Sequence, residues 1–272
     1  MRRIEETFAR LAAAKKKALI AYLCIGDPSV EESIDLAVGC AGAGADMLEL
    51  GVPFSDPTAD GPAIARASER AIAHGGGLSA TLKAAKAIRA RTNVPMILFG
   101  YYNPLFVRGD ARAVTDAAEA GIDALLVVDL PPEEGGDLRA TAKMKGLSVV
   151  PLLAPTSSAA RVEAAKNAAP PPSFVYYVSV TGVTGSQGSQ TAPLAAASAQ
   201  AGALRDRVGV PVVVGFGIDS REKARAAATG ADGVVVGSAL VRTIEEGKTA
   251  SARKAAVENL VRELRAGVDE AG

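Results

Sequence analysis

Glu49 is the one carboxylate in the apolar run Met47-Leu48-Glu49-Leu50, and the chain then breaks at Pro53 into a loop carrying Asp56 and Asp60. A carboxylate inside a segment that otherwise reads as buried is unfavourable unless it has a partner or a chemical task. Two readings are open at Glu49: a structural side chain that binds backbone amides, and an acid–base group on a rigid strand. Asp60, on a loop able to close, is placed to work with a group of the second kind. The other carboxylates that end apolar runs are Asp27 in Gly26-Asp27-Pro28-Ser29, Asp129 ahead of Pro131-Pro132, and the pair Glu133-Glu134. Asp27 reads as a turn and helix-cap residue. For Asp129 a structural hydrogen-bonding role and a site-supporting role are both open.

These groups need a scaffold. Eight short apolar runs recur, at 18–25, 47–52, 94–101, 124–130, 147–153, 174–180, 210–216 and 233–237, each closed by Gly, Pro, Asp or Ser. Most are continuous, as in Val212-Val213-Val214, the pattern of parallel strands covered on both faces. Ala-rich segments of helical spacing separate them, at 33–41, 62–73, 79–91, 111–120, 134–145, 159–168 and 221–229. An extra amphipathic helix is expected over 3–14, and another closes the chain over 250–266. Strand–helix alternation with no shift in composition predicts an α/β fold, a single (β/α)8 barrel over residues 1–272 with an extra N-terminal helix. The alternative is a doubly wound open sheet, and the first strand–helix turn lacks the G-x-G-x-x-G signature that such sheets use for dinucleotides. In a barrel, the site lies where strands end and βα loops begin.

Composition narrows the partners. Thirty Lys and Arg balance thirty Asp and Glu, for a formal net charge of zero. That argues against nucleic acid or an anionic membrane, which select basic surfaces. No stretch approaches the ~18 consecutive apolar residues of a membrane span. The N-terminus lacks the apolar core of a signal peptide, and Cys24 and Cys40 sit in apolar surroundings, so a cytoplasmic protein without a disulfide framework is expected.

Position excludes several chemistries. The single histidine, His74, falls at the end of the helix after the second strand and is expected on the rim away from the site. Without it, a His-ligated metal or a His-activated nucleophile is not expected. The lysines all fall in helices or ahead of strands, which leaves no amine in the mouth for a Schiff base. Carboxylates, hydroxyls and backbone amides are left to carry a reaction. Three glycine-rich turns supply amides: Thr181-Gly182-Val183-Thr184-Gly185, Gly215-Phe216-Gly217-Ile218 and Gly237-Ser238-Ala239. Glycines at such corners can serve tight packing alone. As a set, with helices following, they match the phosphate cradle of this fold. No Arg or Lys crowds them, so N–H groups and a helix dipole are expected to hold the anion.

The run Glu49-Leu50-Gly51-Val52-Pro53-Phe54-Ser55-Asp56-Pro57, with Ala59-Asp60-Gly61-Pro62, closely resembles the tryptophan synthase α chain. Gly26-Asp27-Pro28, Tyr101-Tyr102-Asn103-Pro104, Val128-Asp129-Leu130-Pro131, Gly182-Val183-Thr184-Gly185, Gly215-Phe216-Gly217-Ile218 and Val236-Gly237-Ser238-Ala239 fit the same family in the same order. The resemblance implies a lyase of tryptophan biosynthesis that splits indole-3-glycerol phosphate into indole and glyceraldehyde 3-phosphate without a cofactor. Glu49 matches the family's catalytic Glu, which protonates indole C3 and handles the proton of the adjacent glycerol hydroxyl. Asp60 matches the Asp that accepts the indole N–H. Protonating a ring carbon needs an acid whose pKa an apolar pocket has raised, and the cation that follows needs an anion in a dry site.

By the same matching, Gly185, Gly217, Gly237 and Ser238 hold the phosphate. Tyr22, Phe99, Tyr176 and Thr184 line the indole pocket or the loop against it, with core packing as the alternative for all but Thr184. The resemblance further implies an α2β2 complex whose β chain carries pyridoxal phosphate, met by the loop with Pro53, Asp56 and Thr58. Four positions depart from the family's usual pattern. Cys24-Ile25 stands where smaller or more polar residues are common, Thr58 where a bulkier apolar one is, Ala65 where many members have Gln, and Gln187 where Arg is common. Loops 55–60 and 182–192 are expected to be mobile without ligand. Two other functions fit a phosphate-binding barrel: an indole-3-glycerol phosphate synthase type, which needs a lysine acid, and a chain that serves mainly as an allosteric partner of a β chain.

Overall fold

The computed structural model describes residues 2–168, 173–178, 191–215 and 217–272 of the 272. Helix α1 (Arg2–Ala13) precedes strand β1 (Ala18–Cys24), and α2 (Val30–Ala43) leads to β2 (Met47–Gly51). Two helices follow β2, α3 (Pro62–Ala73) and α4 (Leu78–Arg89). Strand β3 (Met96–Gly100) is followed by α5 (Tyr102–Arg108) and α6 (Asp110–Glu119), and β4 (Ala124–Val127) by α7 (Gly136–Met144). The fifth run forms two dipeptide strands, β5 (Ser148–Val149) and β6 (Leu152–Leu153), before α8 (Ala159–Lys166). Then come β7 (Val175–Val178), α9 (Ala192–Val208), β8 (Val212–Gly215), α10 (Arg221–Ala228), β9 (Gly233–Val236), α11 (Ser238–Glu246) and α12 (Ala250–Asp269).

All strand pairs are parallel, in the order β5-β4-β3-β2-β1-β9-β8-β7-β6. The two ends of that order belong to one run. The Val150 amide donates to Leu125 O at 2.8 Å, and Pro151 O accepts from the Tyr176 amide at 3.0 Å, so residues 150–151 carry the chain from β4 across to β7. Pro151 has no amide to give, which is why the strand is interrupted there. The ring is the expected (β/α)8 barrel, its fifth strand split.

Side chains alternate across each strand. Ile20, Met47, Ile97, Ala124, Leu126, Val213 and Val235 point inward to one core, whereas Leu19, Leu48, Leu50, Leu98 and Leu125 face the helices. The expected N-terminal helix plugs this inner core. Ile4, Phe8 and Leu11 of α1 pack into it, and the Phe8 and Phe174 rings sit 5.7 Å apart. Each such buried side chain contributes about 2 kcal/mol. Three helices are not read from the sequence, namely α5, α9 and α11. Among the described residues, no helix is long and apolar enough to cross a membrane.

Candidate active site

Period two decides where Glu49 points. Met47 lies in the inner core, so Glu49, two residues on, faces the same interior one layer higher. There it meets the upper layer of the barrel, Tyr22 on β1, Phe99 on β3 and Tyr176 on β7. With Asp60, Gly217, Gly237 and Ser238 these residues line a single cavity of about 780 Å³, within the size range of small-molecule sites. The Tyr22 and Phe99 rings meet edge to face at 5.2 Å.

Glu49 is 1 % exposed, and its Oε1 has no hydrogen-bond partner among the described residues. That geometry removes the amide-binding role for this oxygen. Loss of water pushes the Glu49 pKa up to about 8, so the side chain holds its proton at neutral pH. Asp60 is raised less, to about 6, because burial is opposed by a hydrogen bond from Tyr101. At neutral pH Glu49 therefore stands in the cavity wall as a carboxylic acid and Asp60 as a carboxylate.

Tyr101 fixes the Asp60 loop. Its hydroxyl accepts the Ala59 amide at 2.9 Å, leaving its own proton for Asp60, and its ring stacks on Phe54 at 5.0 Å. Behind it, Asp129 accepts the Tyr102 amide at 2.8 Å at the start of α5, so Asp129 supports the helix that carries this anchor. Two tyrosines also require glycine neighbours. A Cβ on Gly51 would fall 2.7 Å from Tyr22 Cζ, and one on Gly215 would fall 2.9 Å from Tyr176 Cε1, with the hydroxyls nearer still.

Helix α3 is an insertion on the rim where the strands end, and α4 is the helix that returns to the next strand. A Cβ on Gly26, after β1, would meet Ala71 of α3 at 3.1 Å, and one on Gly76 would meet Pro53, after β2, at 2.9 Å. His74 therefore belongs to the rim at the C-terminal ends of the strands, contrary to the sequence expectation, which counted α3 as the return helix. Its side chain is exposed, Nδ1 lies 2.8 Å from Arg70 O, and it does not line the cavity. Asp27 lies in the expected turn but is not the helix cap. Ser29 caps α2, accepting the Glu32 amide at 3.1 Å, while buried Asp27 takes a two-pronged pair from Arg70 of α3 at 2.8 Å each. Arg70 and Arg66 further bind Glu245 of α11 at 2.7 and 2.8 Å. These pairs tie α3 over the barrel mouth.

The expectation of a mouth free of lysine and arginine fails. Lys223, Arg242 and Arg66 line the cavity. Lys223 stands in the first turn of α10 and Arg242 in the second turn of α11, helices that begin near the strand ends, and both residues line the cavity. Reading α11 would have placed Arg242; Lys223 lies in the helical segment 221–229 that the sequence does show, but at its start beside the strand end. Gly217 takes a left-handed backbone (φ 64°), and Ser238 opens α11, where unpaired amides face outward from the helix start. Gly185 and Thr184, with most of loop 182–192, lie outside the described residues. Of the loop expected to meet a partner, Asp56 and Thr58 are exposed and Pro53 is buried near Gly76. Cys24 and Cys40 are free and buried; Cys24 Sγ lies 3.9 Å from Ser68 Oγ of α3. Among the described residues, no group of three His, Cys, Asp or Glu is placed to hold a metal ion.

A family model described as tryptophan synthase alpha chain matches residues 8–269. A tryptophan synthase alpha chain of Geotalea daltonii is 49% identical over 246 residues, covering 90% of this chain and 91% of that one. Another, of Geotalea uraniireducens, is 46% identical over 272 residues, with both chains covered in full. The crystal structure of tryptophan synthase subunit alpha from Legionella pneumophila superposes with a TM-score of 0.88 at 37% identity, covering 98% of each chain. Barrel, cavity and sequence agree: the chain belongs to the tryptophan synthase alpha chain family.

Proposed function

We propose that Glu49 and Asp60 carry the reaction of this family in this chain, the cleavage of indole-3-glycerol phosphate to indole and glyceraldehyde 3-phosphate. The observation behind this reading is the buried Glu49, its Oε1 without a hydrogen-bond partner among the described residues, in the same cavity wall as Asp60; burial favours the protonated form of the first more than of the second.

The carboxylic acid of Glu49 gives its proton to indole C3, and the ring becomes a cation. Asp60, an anion held by Tyr101, accepts the indole N–H and lowers the energy of that cation, strongly so in a site that excludes water. Glu49, now a carboxylate, takes the proton of the glycerol hydroxyl next to the ring. The bond between that carbon and C3 breaks, its electron pair returns to the ring as indole, and the hydroxyl carbon becomes the aldehyde. Glu49 ends protonated, so one group serves both proton steps and no cofactor enters. Gly217, Gly237 and Ser238 would direct amides at the phosphate, a role that the family match also gives to Gly185, which lies outside the described residues. Tyr22, Phe99 and Tyr176 would flank the indole.

Indole release handed to a β chain carrying pyridoxal phosphate, in an α2β2 complex, fits the exposed Asp56 and Thr58 on the Asp60 loop. A contact there could bias closure of that loop. The test is indole production from indole-3-glycerol phosphate, with and without a β chain, by the parent and by Glu49→Gln. The variant should bind glycerol 3-phosphate and release no indole; near-parental turnover beside a β chain would remove Glu49 from the mechanism.

A further inference from the structure

The phosphate side of the cavity carries more positive charge than it needs for its own ion pairs. Lys223 Nζ lies 2.8 Å from Asp219 Oδ1, and Arg242 Nη2 lies 3.8 Å from Asp219 Oδ2. All three side chains line the cavity beside Gly217, Gly237 and Ser238. Two cations share one carboxylate, and neither has another acidic partner among the described residues. The residues outside that set include no Asp or Glu, so no hidden carboxylate balances the second cation. The third cation of the wall, Arg66, is already matched by Glu245.

We propose that Lys223 and Arg242 determine the preference of this cavity for a phosphorylated substrate, with Asp219 as the counter-ion that a phosphate dianion displaces. The proposal rests on reading the cavity as the indole-3-glycerol phosphate site and adds the source of its charge recognition. Backbone amides orient a phosphate but do not neutralise two negative charges; a compact ammonium and a guanidinium do. Lys223 is 18% exposed, so its charge is sheltered from solvent, whereas Arg242 at 45% and Asp219 at 39% reach the rim and can turn outward. Asp219 holds the cations in place in the free protein and repels the incoming anion.

A plain structural alternative exists, since Asp219 and Lys223 are also spaced as a stabilising pair at the start of α10. The two roles differ in sign. Under the structural role, removing either charge harms the same helix and shifts ligand binding in the same direction. Under the proposal, removing Lys223 loosens phosphate and removing Asp219 tightens it.

The experiment is calorimetric titration of the full chain with glycerol 3-phosphate at low and high salt, with melting curves to show that each variant is folded. Lys223→Gln should weaken binding about fivefold or more and flatten its salt dependence; Arg242→Gln should do the same to a smaller degree. Lys223→Arg should retain parental affinity within about twofold, and Asp219→Asn should bind more tightly than the parent. Unchanged affinity in Lys223→Gln, or weakening in both Lys223→Gln and Asp219→Asn, overturns the inference. If the parent binds glycerol 3-phosphate and releases indole while the variants match it, only this inference falls. If the parent does neither, the underlying reading of the cavity falls as well.

Discussion

Glu49→Gln should make the protein more stable at alkaline pH, by an amount that grows with pH. Burial raises the Glu49 pKa from 4.5 to about 8. Between those values the folded chain keeps a proton that the unfolded chain releases. The stabilisation linked to this proton is complete below pH 4.5, declines through the window, and is gone above about pH 8. Each pH unit within the window corresponds to ~1.4 kcal/mol. The deficit is therefore about 3 kcal/mol at pH 7 and about 5 kcal/mol above pH 8, against a total domain stability of order 10 kcal/mol. The amide introduced by the substitution does not titrate. Once buried, it carries a pH-independent penalty that shifts the curve without changing its slope. Asp60, raised from 3.8 to about 6, adds a decline of the same sign at lower pH, but it does so in both proteins and cancels in the difference. Urea unfolding of the parent and Glu49→Gln, from about pH 5 to about pH 9, measures that difference directly. It should climb by ~1.4 kcal/mol per unit and level off near pH 8. Parallel curves across the window would mean that Glu49 holds no proton in the fold, and the acid assigned to it would be lost.

Four further outcomes follow from the same geometry. The rate of indole release should be bell-shaped in pH, rising as Asp60 ionises near 6 and falling as Glu49 loses its proton near 8, read from kcat/KM profiles. Tyr101→Phe keeps the stack on Phe54 but removes the proton given to Asp60 and the acceptor for the Ala59 amide; kcat/KM should fall about tenfold or more and the acid limb should move to higher pH. Gly51→Ala drives a methyl into the Tyr22 ring, so indole release and thermal stability should both drop, and adding Tyr22→Leu should restore stability in melting curves. Arg70→Met leaves buried Asp27 without its two-pronged partner, and urea unfolding should report a loss of about 3 kcal/mol.

Much of this site could be read in the sequence because its geometry repeats at fixed periods. Met47 and Glu49 share a face by the two-residue period of a strand, so one apolar neighbour suffices to aim the acid inward. Ser29 and Asp27 show where such reasoning stops. Both suit a cap, and only the return of Arg70 from a helix far along the chain decides that Asp27 is an ion-pair anchor. His74 is misplaced by sequence reasoning because two helices follow β2, both legible as periodic segments, and periodicity does not say which of them returns along the barrel to the next strand. Arg242 escapes it because α11 is short and begins at Gly237 with no capping side chain to announce it; Lys223 lies in a helix the sequence does show, α10, but periodicity does not say that its long side chain reaches back to the cavity. Tyr101 lies within a recognised motif, yet nothing in its neighbours reveals that its hydroxyl reaches across to Ala59.

The interrupted fifth strand bears on how the ring can be opened. Residues 2–149 form one continuous arc of strands β1 to β5, and residues 152–272 supply a second arc, β6 to β9. The arcs meet through the β1–β9 ladder and again at Pro151, where the backbone itself makes the join. A ladder is cooperative along its length, whereas this join is a hinge of two peptide units flanked by two-residue strands. Amide hydrogens around Val150 should therefore exchange with solvent earlier than those of β1 and β2. Glu49 belongs to the first arc and Gly217, Gly237 and Ser238 to the second, so a gap that opens at Pro151 would shift these two walls of the cavity against one another without breaking either half.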